Sequence, residues 1–303
     1  MTSSKLLFSA IFLSWIFLGI AAGVPGQITE HSQDVALDVP YVPSPQPVVD
    51  EMLRMADVKK TDLLYDLGCG DGRIVITATQ RYGCHGVGID LNPVRIKESK
   101  ENAAKAGVND LVQFREGDLF KADFHEATIL SLYLLSSVNL KLRPKIISEL
   151  KPGTHVVSHN YGMSEWQPDK STSVAVNEIV HSVYFWVVPA NIAGTWEATL
   201  PAKFKKGPLK LQLDQVFQYL QGSAEYSGAK IPLQDALLAG DKIQFKLLLK
   251  EKDKDEMLDF VGQVSGNSCK GTVKIGEGPG ALQGTWQAKR DPSTVNPIDR
   301  TGR

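Results

Sequence analysis

The sequence predicts an α/β protein in which a doubly wound, mainly parallel sheet precedes a small antiparallel β-barrel or sandwich. From residue 41 to about residue 190, short apolar runs alternate with helix-like stretches, a pattern typical of parallel sheets covered by helices. After Ala190, apolar residues alternate with polar ones and glycines separate short runs, which favours antiparallel strands. The length of 303 residues also suits two domains better than one.

Helices in the first region are predicted over residues 45–55, 74–81, 93–106 and 138–150. Pro45 and Pro93 can each occupy a first helical turn, because the N–H that proline lacks has no partner there. Gly107 directly follows the third helix and can end it in a left-handed conformation. Pro144 lies inside the fourth helix, so that helix is expected to kink or to begin later.

Strands of the first region are predicted over residues 63–67, 86–89, 112–115, 127–132 and 154–159. Most of these runs are largely apolar, whereas residues 112–115 alternate apolar and polar side chains. Parallel strands that are buried on both faces have this composition, because helices cover each side of the sheet.

The second region opens with Gly194-Thr195-Trp196 and closes with Gly284-Thr285-Trp286. Between these two Gly-Thr-Trp tripeptides, residues 209–213 and 243–247 alternate apolar and polar side chains, as strands with one buried face do. We predict that the repeated word marks first and last strands that meet to close a barrel. The alternative is that a three-residue word recurs by chance.

Residues 1–40 are predicted to be a targeting segment followed by a linker. Lys5 precedes an uncharged run whose apolar part covers residues 6–22, and small residues follow it. This pattern favours a cleaved signal peptide over residues 1–23. An uncleaved membrane anchor is the alternative, because the run is just long enough to span a bilayer. Residues 24–40 have the composition of an extended linker.

The predicted organisation therefore has five parts: a signal peptide or anchor (1–23), a linker (24–40), a first domain (41–190), a β-domain (191–290) and a polar, disordered tail (291–303). The β-domain offers no evident chemistry of its own. It contains no cluster of cysteines or histidines, and Cys269 stands alone in it.

The composition excludes several classes of function. The 33 Lys and Arg residues nearly balance the 34 Asp and Glu residues, and this net charge of -1 predicts no nucleic-acid partner. The three cysteines form neither a disulfide framework nor a paired-cysteine zinc site. The six histidines are scattered without metal-ligand spacing, so no metal site is predicted.

The candidate site begins at residues 66–73, Asp-Leu-Gly-Cys-Gly-Asp-Gly-Arg, between a predicted strand and a predicted helix. Its glycine spacing differs from the G-x-G-x-x-G pattern that binds a dinucleotide pyrophosphate. Asp66 would repel a pyrophosphate and attract a ligand's ammonium group. Asp90 ends the next strand, where an acid can accept hydrogen bonds from ribose hydroxyls.

An ammonium group and a ribose without phosphates together describe S-adenosyl-L-methionine (SAM). Asp118 follows the third strand and can accept a hydrogen bond from the adenine amino group, while Leu119 can pack on the ring. The alternative is that the three acids are ordinary turn residues at the ends of strands. Their shared placement, each after a successive strand, favours the cofactor interpretation.

Residues 41–165 resemble the class I, seven-stranded-type SAM-dependent methyltransferases, whose sheet is Rossmann-like. The glycine-rich pattern of residues 66–73 carries this resemblance. Residues 41–45, Tyr-Val-Pro-Ser-Pro, are similar to a segment of mitochondrial-type protein-lysine methyltransferases that modify inner-membrane proteins. The resemblance implies a methyl-acceptor substrate, either a protein lysine or a small molecule.

The resemblance also implies residues for each part of the cofactor: Asp66, Gly68, Gly70 and Gly72 around the methionine part, Asp90 at the ribose, Asp118 and Leu119 at the adenine, and Tyr41 and Ser44 over the N-terminal side. A different interpretation of Tyr41 is that it belongs to a proline-rich segment that simply packs on the sheet.

Catalytic residues are less clearly indicated. The Asp/Asn-Pro-Pro-Tyr motif of many base methyltransferases is absent after the fourth strand, which disfavours DNA-base chemistry. Tyr133 is expected to line the methyl-transfer site. Asn139 is expected either to orient a substrate amine or to cap a helix start. His159 can accept a proton, although a lone histidine is more often structural.

Three functions remain open from the sequence. The first is a SAM-dependent methyltransferase that acts on a protein lysine. The second is a small-molecule methyltransferase whose β-domain binds or gates the substrate. The third is an exported, non-catalytic nucleotide-binding protein, which an export signal favours because SAM is made in the cytosol.

We expect residues 1–23 to place the folded domains on the far side of a membrane, because the positive charge of Lys5 keeps the short N-terminus on the cytoplasmic side. Alkaline phosphatase fused after Arg303 should then be active and β-galactosidase inactive. The opposite pattern would indicate an inverted anchor, with the domains on the cytoplasmic face of the membrane.

Overall fold

The computed structural model describes residues 41–204, 207–250, 255–276 and 280–299. The predicted signal peptide or anchor (1–23) and linker (24–40) lie outside the described residues. Across the four described ranges, no helix combines the length and the apolar composition needed to cross a membrane.

The first sheet contains seven strands: β1 (Leu63–Leu67), β2 (His85–Asp90), β3 (Val112–Glu116), β4 (Ile129–Leu132), β5 (His155–His159), β6 (Lys170–Val176) and β7 (Ile179–Val187). Their order is β3-β2-β1-β4-β5-β7-β6. Strands β1 to β5 are mutually parallel, whereas β7 is antiparallel to both of its neighbours. The predicted doubly wound, mainly parallel sheet is confirmed.

Helices cover both faces of this sheet: α1 (Gln46–Met55), α2 (Arg73–Tyr82), α3 (Pro93–Ala106) and α4 (Ser136–Glu149). Helices α1, α2 and α3 share one apolar cluster with Leu64 and Val157. Helix α4 shares the opposite cluster with Tyr65 and Val156. Because neighbouring residues of each strand point to opposite faces, both sides of the strands must be apolar.

Helix α4 begins earlier than the sequence predicts and continues through Pro144. The carbonyl of Leu135 accepts hydrogen bonds from the N–H groups of Val138 and Asn139, so the first turn forms ahead of the predicted start. The proline is accommodated inside the helix.

The hairpin of β6 and β7 has no counterpart in the sequence prediction. Its two turn residues, Asn177 and Glu178, both have positive φ angles, of 48° and 66°. A two-residue turn of this kind matches the twist of antiparallel strands, but glycine usually marks it. The turn lacks glycine, so the sequence carries only a weak signal for it.

The second sheet contains nine strands: β8 (Gly194–Thr199), β9 (Leu209–Val216), β10 (Tyr219–Tyr226), β11 (Ala229–Pro232), β12 (Gln234–Ala239), β13 (Lys242–Lys250), β14 (Asp255–Ser265), β15 (Ser268–Ile275) and β16 (Leu282–Arg290). Their order is β11-β10-β9-β8-β16-β15-β14-β13-β12, with antiparallel pairing throughout. The result is a nearly closed, barrel-shaped sheet, as predicted.

The first and last strands of this sheet pair with each other, from Thr199 opposite Gln287 to Trp196 opposite Arg290. The prediction that they meet is therefore confirmed. The two Gly-Thr-Trp words do not face each other, because Trp196 and Trp286 are offset along the pair. The remaining gap lies between β11 and β12, the two ends of the strand order.

The prediction of a disordered tail is wrong for residues 291–299. Ile298 is buried, and its carbonyl accepts a hydrogen bond from the Phe217 N–H. Asp299 pairs with the guanidinium of Arg143, at 2.9 Å between Oδ2 and Nε. A buried guanidinium requires a negative partner, and the polar tail supplies one. Residues 300–303 lie outside the described residues.

Contacts also join the two sheets across the predicted domain boundary at residue 190. The Ala190 N–H donates to the Gly240 carbonyl, and the Gln218 side chain donates to the carbonyl of Gln167. The independence of residues 191–290 as a domain thus stays a prediction.

Replacing Asp299 by alanine should lower the free energy of unfolding by about 3 kcal/mol, because the buried Arg143 guanidinium loses this carboxylate and keeps its described pair with the exposed Glu165. Glu149→Ala, which removes an exposed pair with Lys145, should cost under about 0.5 kcal/mol. Urea denaturation of both variants measures the difference. Equal losses would show that Arg143 needs no carboxylate from the tail.

Candidate cofactor pocket and active site

A pocket opens at the carboxyl ends of β1, β2 and β4, beneath residues 41–45, which we call the cover segment. Its walls are formed by Tyr41, Val42, Pro43, Ser44, Asp66, Gly68, Cys69, Gly70, Asp71, Arg73, Ile74, Asp90, Leu91, Asn92, Arg95, Asp118, Leu119, Tyr133 and Leu134. Ligands of open α/β sheets bind at this edge, because the loops there diverge and leave a crevice.

The glycine loop turns sharply between β1 and α2. Gly68 and Gly70 have φ angles of +76° and +54°, which side chains other than glycine adopt at a cost. The N–H groups of Gly68 and Cys69 both donate to the Ile89 carbonyl, so the loop is tied to β2. A Cβ on Gly70 would lie 2.5 Å from a ring carbon of Tyr41, so the tyrosine rests directly on this glycine.

Gly72 has a role in packing that the sequence did not imply. It does not line the pocket, and it caps the start of α2 with a φ angle of +81°. A Cβ there would meet the ring of Phe114 at 2.7 Å and the Cβ of Ser99 at 2.9 Å. Glycine is required here for close packing between α2, α3 and β3, and its contact with the methionine part of a cofactor stays a prediction.

Asp90 shapes the loop as well as facing the pocket. Its Oδ2 accepts the Gly70 N–H at 2.9 Å, and its Oδ1 accepts the Asn92 N–H at 2.9 Å. Each carboxylate oxygen retains further acceptor capacity for a ribose hydroxyl. The sequence predicted the ribose contact but gave no sign of the hydrogen bonds to the loop.

Asp66 lies at the bottom of the pocket and is buried. Burial raises its pKa to about 7, the Ser131 hydroxyl that donates to it at 2.7 Å lowers the pKa, and the negative charges of Asp90 and Asp71 raise it further. A cation in the pocket would reverse this effect, because it favours the ionised carboxylate. The site therefore suits a positively charged ligand.

Two arginines and Asp71 hold the cover segment in place. Arg73 binds the Asp71 carboxylate, with 2.6 Å between Nη2 and Oδ2, and its Nη1 donates to the Ser44 carbonyl at 2.9 Å. Arg95 lies 4.6 Å from the centre of the Tyr41 ring. The sequence prediction missed all three charged residues, although Asp71 and Arg73 lie within the glycine motif itself.

Asp118 and Leu119 reach the pocket from the loop after β3, as expected. The Oδ1 atom of Asp118 accepts the Phe120 N–H at 2.9 Å, which fixes the turn and leaves Oδ2 for a ligand or for Lys121 at 3.4 Å. The contact of Asp118 and Leu119 with adenine stays a prediction.

The opposite wall is uncharged and rests on His159. The Tyr133 ring stacks on the imidazole, with 3.8 Å between ring centres, and the Ser44 Oγ lies 2.9 Å from Nδ1. The other ring nitrogen, Nε2, lies 2.9 Å from the Nδ1 atom of His181. Burial and the neighbouring His181 lower the pKa of His159 to about 4, so the imidazole is neutral at pH 7.

Asn139 is not a pocket residue, contrary to the expectation that it orients a substrate amine or caps a helix start. It is fully buried inside α4, and its amide donates to the carbonyls of Tyr161 at 3.0 Å and Gly162 at 3.4 Å. These bonds satisfy backbone groups of the loop after β5. Asn139 therefore supports that loop, and the helix begins at Ser136, ahead of it.

Comparison with known proteins agrees with this geometry. Residues 66–170 match the ANTKMT methyltransferase domain. A protein-lysine N-methyltransferase of Saccharolobus islandicus is 44% identical over 151 residues, which cover 50% of this chain and 94% of the relative. The adenine nucleotide translocase lysine N-methyltransferase of Mus musculus is 33% identical over 132 residues, covering 44% of this chain and 57% of that protein.

A solved structure described as an RNA methyltransferase from Salinibacter ruber, in complex with S-adenosyl-L-homocysteine, is also similar. It is 54% identical, covers 50% of this chain and 96% of its own chain, and has a TM-score of 0.47.

Gly70→Ala should weaken binding of the SAM product S-adenosyl-L-homocysteine by about tenfold or more, since the new Cβ displaces Tyr41. Gly107→Ala is the matched control, because Gly107 has a similar φ angle of +70° and open space at its Cβ position. Calorimetry should find normal affinity in the control. Equal affinity in both variants would mean that Tyr41 does not cover the ligand.

SAM should bind about tenfold more weakly at pH 6 than at pH 7.5, because Asp66 has a pKa of about 7 and only its ionised form attracts the cation. Asp66 has a raised pKa, so affinity is gained as the pH rises through 7 and then levels off. Asp66→Asn should bind weakly with no such dependence. A wild-type affinity that stays constant from pH 6 to 7.5 would contradict this role.

Proposed function

The chain belongs to the ANTKMT-type family of SAM-dependent methyltransferases, and on that premise we propose that it methylates the side-chain amine of a protein lysine. The observation that carries the proposal is the 44% identity to the archaeal protein-lysine N-methyltransferase, almost all of whose length is matched. The mouse relative is named for a lysine of the adenine nucleotide translocase and is matched over 57% of its length. The identity of the protein that accepts the methyl group is therefore not carried over from these relatives.

The residues present in the pocket fit SAM. Asp66 and Asp90 place negative charge beside the glycine loop, whereas Asp71 is paired with Arg73, and this charge complements a cationic ligand without phosphates. When bound, SAM supplies an activated methyl group on a sulfonium. What remains for the protein is to align the lysine nitrogen with that methyl group and to keep water out, which can provide several kcal/mol of the barrier.

The uncharged wall suits an amine that must arrive without its proton. Tyr133 and Ser44 present an aromatic ring and a hydroxyl group there. His159 lies behind them, and its imidazole carries no charge at pH 7 because its pKa is lowered to about 4. Removing a lysine side chain from water disfavours its charged form and lowers its pKa. The nitrogen lone pair then becomes available to attack the methyl carbon.

A methyl-label assay tests the proposal. Full-length protein would be incubated with SAM that carries a tritiated methyl group, together with separate membrane and soluble fractions of cells. We expect a labelled protein band, and acid hydrolysis of that band should release methyllysine. Asp66→Ala should abolish the label, whereas Asp110→Ala, a change at an exposed turn, should leave it unchanged.

Other outcomes would contradict the proposal in different ways. Label that disappears after ribonuclease treatment would indicate an RNA substrate, as the name of the Salinibacter ruber relative suggests. Label found only in small molecules would indicate the alternative of a small-molecule methyltransferase. Binding of SAM without any transfer would indicate a non-catalytic binding protein.

A further inference from the structure

We propose that Ser44, His159 and His181 form a proton relay that receives the proton of the lysine amine and conducts it from the pocket towards solvent. The inference rests on the proposed function, because it assigns a route to the proton that lysine must lose before methyl transfer. It adds a role for His181, which family resemblance and sequence spacing leave unassigned, and a second role for Ser44 besides covering the cofactor.

The three side chains form a continuous hydrogen-bonded line. Ser44 lines the pocket and is buried, with its Oγ 2.9 Å from the Nδ1 of His159. His159 is fully buried at the end of β5, and its Nε2 lies 2.9 Å from the Nδ1 of His181. His181 lies on β7 and is partly exposed. The line therefore begins at the pocket wall and ends at a residue that reaches solvent.

The direction of the line follows from counting protons. A neutral imidazole has one N–H and one lone pair, so the bond between the two histidines needs one donor and one acceptor. If His159 carries its proton on Nε2, its Nδ1 accepts the Ser44 hydroxyl proton and its Nε2 donates to His181. The lone pairs of Ser44 Oγ are then left to accept an N–H of a lysine ammonium in the pocket.

The opposite tautomer would not serve the reaction. With the His159 proton on Nδ1, Ser44 would be the acceptor of that bond, and its hydroxyl proton would point towards the pocket. A hydroxyl donor would compete for the same amine lone pair that must attack the methyl group. The relay therefore requires the Nε2–H tautomer on both histidines.

The proton balance is complete without any further reactant. The ammonium proton passes to Ser44 Oγ, the Ser44 proton to His159 Nδ1, the His159 Nε2 proton to His181 Nδ1, and the His181 Nε2 proton to water. One proton leaves the amine and one enters solvent. After the methylated product departs, His181 Nε2 takes a proton back from water, the shift runs in reverse, and Ser44 releases a proton into the water-filled pocket, which restores the starting arrangement.

The surroundings of His159 favour its neutral form, so it passes a proton on and does not remain positively charged. The titratable groups in contact with the imidazole are His181 from β7 and Tyr133 from the end of β4, and the cover segment contributes the Ser44 hydroxyl. Tyr161, from the loop after β5, stacks near Tyr133 with 6.3 Å between their ring centres. Among the described residues, no carboxylate raises the pKa of His159, which burial and His181 lower to about 4. Tyr133 stacked at 3.8 Å fixes the ring plane.

Nuclear magnetic resonance of full-length protein, labelled with ¹⁵N only in histidine, tests the tautomers directly. Long-range proton–nitrogen correlations should show Nε2–H forms for His159 and His181 at pH 7, with signals assigned by loss in His181→Ala and in His159→Gln. A wild-type Nδ1–H form of His159 would overturn the relay, whether or not the protein is a lysine methyltransferase.

The rate of methyl transfer provides the second test. The acceptor is the cell fraction whose protein becomes labelled in the methyl-label assay. His181→Ala should lower the initial rate at pH 7 by about 100-fold, within the usual contribution of proton transfer to catalysis. The deficit should shrink towards pH 10, because free lysine then loses its proton without help. Ser44→Ala combined with His181→Ala should be no slower than the slower single variant, since both interrupt one line.

Controls separate this inference from the proposed function. His155 lies on the same strand as His159 but outside the relay, and its ring bonds to the Ala56 carbonyl. The rate of His155→Gln should match wild type at every pH. Added imidazole should partly restore His181→Ala, whose affinity for SAM should be unchanged. Wild-type activity together with a pH-independent deficit in His181→Ala would overturn the relay alone. No transfer to lysine by the wild-type protein would overturn both.

Discussion

The hydrogen bonds of Asp90 fix the pocket, and the other site residues depend on them. One carboxylate binds the N–H groups of Gly70 and Asn92, so it joins the glycine loop to the start of α3. The loop in turn forms the surface on which Tyr41 rests. Because the same carboxylate is available to a ribose, ligand binding and loop geometry are governed by one side chain, and a change at Asp90 alters both.

The acidic side chains gathered in this pocket lower the folding stability of the ligand-free protein. Asp66 has a pKa of about 7 in the folded state, well above that of an exposed aspartate, because it is buried near Asp90 and Asp71. The folded protein therefore binds more protons than the unfolded chain between about pH 4 and 7, and stability falls as the pH rises through that range. A cationic ligand offsets this cost, so occupancy and folding are coupled.

The sequence predicted those features that depend on local order along the chain. Asp66, Asp90 and Asp118 each follow a strand, and parallel strands bring their carboxyl ends to one edge, so their convergence could be foreseen. The hairpin of β6 and β7 was missed because its turn has no glycine. The sequence did not predict the buried position of Asn139, because its distance from Tyr133 along the chain does not show which face of α4 carries it.

Long-range pairs could not be predicted at all. His159 and His181 meet because β5 and β7 are antiparallel neighbours, with His159 opposite Val183, and no spacing rule announces that pairing. Arg143 and Asp299 meet across 156 residues of sequence. Side-chain contacts of this kind depend on packing that a single sequence does not display.

The pairing of Arg143 with Asp299 has a consequence for the synthesis of the chain. A ribosome completes the strands of the first sheet long before it reaches Asp299, so α4 packs while its guanidinium still lacks the carboxylate that later binds it. Arg143 also holds the carbonyl of Met163 at 2.9 Å, in the loop that Asn139 supports beside Tyr161. Asp299 therefore joins this guanidinium only after the second sheet has been translated, and until then Glu165 is its carboxylate partner among the described residues.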